Sequence, residues 1–132
     1  TKECPSLRHT VEKNLDVLRK IGIFPGFEDR ELDFQIPELA EERVISLVGH
    51  DPFILIHPTS RWKFKCWPPF KVRALIERLI EAGYRVVMSA GSDLEEKEMA
   101  ARICKGLAVT NLAGKVTLKE LGALIQKSDL LI

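Results

Sequence analysis

The 132 residues carry 20 Lys and Arg against 19 Asp and Glu, a net charge of +1, and are 45% hydrophobic. That balance suits one globular domain and excludes a disordered chain, and it gives no overall field to draw the molecule toward nucleic acid or an anionic membrane. No apolar run approaches the ~20 residues of a membrane-crossing helix, and the scattered Cys4, Cys66 and Cys104 form no zinc-ligand spacing with His9, His50 and His57, so they read as free thiols.

From Thr10, the apolar residues Val11, Leu15, Leu18 and Ile21 recur at helical spacing, and Gly22 marks a stop. Residues 22–31 alternate Gly and Pro with charge and read as loop. The segment LDFQI, 32–36, has the alternation of a short strand. Pro37 then opens a helix with Ala40, Val44, Leu47 and Val48 on one face.

Beyond Pro52 the pattern becomes regular. FILIH, 53–57, is a continuous apolar run, as a strand covered on both faces requires. After a loop, Pro68-Pro69 starts a helix whose inner face is Val72, Leu75, Ile76, Leu79 and Ile80, closed by Gly83. YRVVMSA, 84–90, is a second strand. SDLE, 92–95, has the form of a capping box ahead of the stripe Met99, Ala100, Ile103 and Cys104. AVTNLA, 108–113, is a third strand. TLKE, 117–120, is another capping box, opening a helix with Leu118, Leu121, Leu124 and Ile125, and DLLI, 129–132, begins a fourth strand. Alternation of this kind predicts a right-handed parallel α/β sheet of Rossmann-like type, in the order 3-2-1-4. The sequence starts at Thr1 without Met and stops inside an apolar run, so a fragment of a longer protein is expected. Two regions follow: 1–51 as connection and helices, 52–132 as a sheet domain truncated in its fourth strand.

Ligands of such sheets bind beyond the carboxyl ends of the strands, where the winding reverses; here that crevice lies between the first and fourth strands, lined by loop 58–67. Thr59 and Ser60 offer hydroxyls, and Arg61, Lys63 and Lys65 offer cationic donors. The helix entered at Pro68 adds free N–H groups. No acidic residue falls between Asp51 and Glu77, whereas five basic ones do. A diphosphate fits this chemistry. The bland alternative is a solvated basic face, with Trp62, Phe64 and Trp67 packing over the sheet edge; single-stranded nucleic acid is a further one. His57, before a proline, reads as held by backbone hydrogen bonds rather than reacting. Asp93, Glu95 or Glu96 could accept from ribose hydroxyls, or serve only as helix N-terminal carboxylates. The backbone of LAGKVTL, 112–118, with Lys115 and Val116, could meet a base edge, or be an ordinary turn. No G-x-x-x-x-G-K-[ST] or G-x-G-x-x-G is present, which disfavours an NTPase or a dinucleotide enzyme.

Together, HPTSRWKFKCWP, NLAGKVTLKELGALI and DLLI resemble the bacterial heptosyltransferases, over about residues 52–132. The resemblance implies the donor-binding half of a two-domain GT-B glycosyltransferase that transfers heptose from ADP-heptose to the lipopolysaccharide core. It implies that Thr59, Ser60 and Lys65 hold the donor diphosphate, that the backbone at Val116 reads the adenine, and that an acidic residue near Asp93 holds the ribose. No cofactor beyond the donor and no metal is implied, and no D-x-D pair is present. The lipid-linked acceptor site, with its base, belongs to an amino-terminal domain absent here. The family's D-[ST]-G-x-x-H loop after the fourth strand is absent too. A cytoplasmic protein, inactive as this piece and prone to dimerise through the DLLI edge, is expected. A UDP-sugar enzyme and a non-catalytic nucleotide- or nucleic-acid-binding module remain the alternatives.

Overall fold

A computed structural model describes residues 9–132, in two compact units divided between Phe34 and Gln35. Cys4 lies outside the described residues. In the first unit, helix α1 (Thr10–Lys20) is capped by His9, whose Nδ1 accepts from the Val11 N–H, and Gly22 turns the chain at φ 86°. Arg19 bridges Glu12 and Asp16 along its face, and Arg30 also reaches Glu12 at 3.0 Å. Residues 32–36 form no strand. Leu32 is 92% exposed and Phe34 47%, and neither joins the four-stranded sheet of the described residues, so alternation alone does not place them in it.

The second unit starts with α2 (Glu38–Val48), whose Ala40, Val44 and Val48 are buried. It continues through β1 (Ile54–Ile56), α3 (Pro69–Glu81), β2 (Val86–Met88), α4 (Leu94–Cys104), β3 (Val109–Asn111), α5 (Leu118–Lys127) and β4 (Leu130–Leu131). All pairings are parallel and the strand order is β3-β2-β1-β4, as the alternation predicts. Helix α2 packs on α5, so it belongs with the sheet rather than with the connection that precedes it.

Strand geometry divides the core into two layers, because successive side chains point to opposite faces. Ile54, Ile56, Val86 and Met88 face Val72 and Ile76 of α3 and Ala100 and Ile103 of α4. Leu55 and Val87 face Val44 and Val48 of α2 and Ala123 and Leu124 of α5. The sheet is thus apolar on both sides, which is why β1 and β2 read as unbroken runs. In α5 the buried positions are Ala123 and Leu124, while Leu118 and Ile125 of the expected stripe are 71% and 41% exposed. Asp129 grips the start of β1 twice: its N–H donates to the Phe53 carbonyl at 3.1 Å and its Oδ2 accepts from the Phe53 N–H at 2.8 Å.

Candidate nucleotide site

The carboxyl ends of β1 and β2 carry the polar groups. After Ile56 the chain makes two more ladder contacts: the His57 N–H donates to the Ile132 carbonyl and the Ser89 N–H to the Ile56 carbonyl. Pro58 then ends the ladder, having no N–H to give. Among the described residues, the N–H groups of Thr59, Ser60 and Arg61 make no hydrogen bond. Thr59 itself is buried, and its Oγ1 also has no partner there. A hydroxyl and three adjacent N–H groups left unspent at a strand end are donors of the kind that anion-binding loops use.

Helix α3 contributes less than expected. Prolines occupy positions 68 and 69, and the Lys71 and Val72 N–H groups both donate to the Pro68 carbonyl, so in the first turn only the Phe70 N–H is left over. The cations are also divided. Lys63 pairs with Glu95 at 2.6 Å, which holds its ammonium above the ordinary lysine value. Arg73 is turned away to α4, donating to the Ile103 and Lys105 carbonyls and pairing with Glu77. Lys65 lies exposed with its Nζ 6.0 Å from the Phe64 ring centre, and Arg61 makes no polar contact among the described residues.

A cleft of about 630 Å³ opens between this loop and α4. Its loop wall includes Ser60, Arg61, Lys63, Cys66 and Trp67, and its α4 wall Asp93, Glu95, Glu96 and Met99. The cleft therefore lies on the β2 side of the loop, whereas the reading from winding direction placed the crevice between β1 and β4; the Lys63–Glu95 pair joins the loop to α4. Of the six expected contacts, Ser60 and Asp93 line this space and Thr59 is buried next to Ser60. Lys65, Lys115 and Val116 are not among its lining residues. Lys115 donates from Nζ to the Asn111 carbonyl, after a turn at Gly114 with φ 68°, and Val116 packs against the α2–α5 layer. Asp93, rather than Ser92, caps α4 by accepting from the Glu95 N–H. Glu96 accepts from the Gly91 N–H at 2.9 Å.

One polar pair went unforeseen. His57 Nδ1 lies 2.9 Å from Oγ of the fully buried Ser89. Burial lowers the imidazole below the ordinary histidine value, with the Glu96 carboxylate opposing. No short motif links residues 32 apart, yet the parallel register that pairs Ile56 with Met88 sets the next two residues side by side. Cys66 and Cys104 are free thiols, and burial raises Cys104. Among the described residues no cluster of three His, Cys, Asp or Glu is placed to hold a metal ion, and no helix is long and apolar enough to cross a membrane.

Residues 2–132 match the family described as glycosyltransferase family 9 (heptosyltransferase). The chain belongs to this family. A curated relative, lipopolysaccharide heptosyltransferase 3 of Escherichia coli strain K12, is 37% identical over 94% of this chain. The chain spans 38% of that relative's length. Its fold is that of a family 9 glycosyltransferase from Veillonella parvula, with a TM-score of 0.73 and 22% identity over 99% of this chain and 39% of that one. It also matches an Escherichia coli heptosyltransferase WaaC solved with ADP, with a TM-score of 0.60 and 20% identity over 94% of this chain and 38% of the other. The family 9 membership thus agrees with the parallel α/β sheet and with the loops from which the heptosyltransferase resemblance was read.

Proposed function

We propose that this chain is the donor-nucleotide-binding part of a GT-B heptosyltransferase, and that the loop after β1 receives the diphosphate of ADP-heptose. The observation that carries the reading is the set of unspent groups at Thr59–Arg61, three N–H donors and one buried hydroxyl, followed by a loop without acidic residues. The family relationship supports the choice of donor, since a solved relative is described with ADP.

In the intact enzyme the acceptor hydroxyl oxygen attacks the anomeric carbon with inversion. The bond from that carbon to the diphosphate oxygen breaks, and ADP leaves with the electron pair. The acceptor's proton passes to a base outside this chain. Negative charge grows on the diphosphate as it departs, so Lys65 and the Thr59–Ser60 donors stabilise the transition state more than the bound donor. Basic side chains and N–H groups carry this role here without a metal. For the ribose, the candidate acceptors on the α4 wall are Asp93, Glu95 and Glu96, each already holding one partner: Asp93 caps α4, Glu95 pairs with Lys63 and Glu96 accepts from the Gly91 N–H. The turn at Lys115 and Val116 meets the adenine. A sugar nucleotide and a lipid-linked acceptor place the full enzyme in the cytoplasm, at the inner membrane.

Calorimetric titration with ADP tests this. Lys65→Ala is expected to weaken ADP binding by about 2 kcal/mol, the scale of one charge-assisted hydrogen bond. UDP binding as tightly as ADP would favour a UDP-sugar enzyme. A mixed single-stranded oligonucleotide that outcompetes ADP, with steep salt dependence, would favour a nucleic-acid module. Unchanged ADP affinity in Lys65→Ala would remove that residue from the site.

A further inference from the structure

We propose that the His57–Ser89 hydrogen bond anchors the anion-binding loop to the sheet, making His57 and Ser89 positioning residues for Thr59 and Ser60. Beyond Pro58 the loop has no ladder bonds, and its contacts are mostly internal. The Trp62 N–H donates to Ser60 Oγ, the Lys65 N–H to the Trp62 carbonyl, and the Cys66 N–H to the Lys63 carbonyl. Among the described residues, two polar side-chain links tie the segment 57–67 to other elements. One is the Lys63–Glu95 pair near the loop's tip, whose side chains are 81% and 67% exposed. The other is His57 to Ser89, at the root, where Ser89 is fully buried.

These links are unequal. Solvent screens an exposed ion pair, and two long side chains lose rotamer freedom to make it. A hydrogen bond to a buried hydroxyl keeps its strength, and breaking it strands a polar atom away from water. The anchor sits two residues before Thr59, so the Pro58 ring transmits its direction with little slack, φ of a proline being confined near −65°. Glu96, on α4, is the charged group that acts on the imidazole, and it is itself held by the Gly91 N–H.

The consequence for donor binding rests on the proposed function; the anchoring does not, and amide hydrogen exchange measures it without nucleotide. Ser89→Ala is expected to speed exchange of the Trp62, Lys65 and Cys66 amides by about tenfold, leaving the Ile76 and Leu79 amides of α3 unchanged. His57→Leu, at a half-buried position, should do the same. His57→Asn, whose amide falls near the place of Nδ1, should restore wild-type rates, which a purely space-filling role would not. Lys63→Ala should change them little. Unaltered loop exchange in both Ser89→Ala and His57→Leu would overturn the anchor. If the wild-type chain failed to bind ADP while loop exchange still responded, the donor reading would fall and the anchor stand. If ADP does bind, its affinity should drop about tenfold in Ser89→Ala; a loosened loop with full affinity would overturn the link between anchor and ligand.

Discussion

The Thr59 hydroxyl is buried without a partner among the described residues, while Ser60, one position on, accepts from the Trp62 N–H and lines the cleft. A buried polar atom left unsatisfied costs on the order of 1–3 kcal/mol, and a fold tolerates that most readily where a ligand later supplies the partner. Stability and binding should therefore move in opposite directions when the hydroxyl is removed. Thr59→Val keeps the shape and deletes the unpaired atom. It is expected to raise unfolding stability by about 1 kcal/mol in a denaturant titration and to weaken ADP binding by a similar amount. A loss of stability would mean that the hydroxyl is satisfied in the folded protein.

At the level of elements, α5 begins with a complete capping box. The Thr117 side chain accepts from the Glu120 N–H, and Glu120 accepts from the Thr117 N–H, which holds its carboxyl below the usual range. Thr117→Ala is expected to cost about 1 kcal/mol of stability by thermal or chemical denaturation, because the first turn of the helix that brings Ala123 and Leu124 to the core frays. This box was legible from TLKE because its parts are four residues of one turn. The same local logic found the apolar strands, the helix after Pro68-Pro69 and the strand order. It failed where a choice depended on a distant neighbour. Both Ser92 and Asp93 suit a cap, and the Glu96 carboxylate reaches past the cap to the Gly91 N–H. LDFQI alternates like a strand but joins no sheet among the described residues. His57 and Ser89 carry no spacing signal, and which side of the loop opens into a cleft is settled by α4, not by the loop.

For the molecule as a whole, the sheet is covered on both faces yet uncovered at one side. Leu130, Leu131 and Ile132 are 50%, 46% and 42% exposed along β4, which among the described residues pairs with β1 alone. An apolar edge of this kind invites pairing with a second copy. Sedimentation equilibrium of this chain should show self-association that Leu131→Lys reduces, since a charge on the edge opposes strand addition; a monomer in both forms would count against it. The core also raises a question of alignment. Ile54, Leu55 and Ile56 are all buried, and a strand greasy on both sides gives its neighbour little reason to prefer one setting over another two residues along. Asp129 acts as the detent. It meets Phe53 through both its N–H and its Oδ2, and a shifted strand would break both bonds.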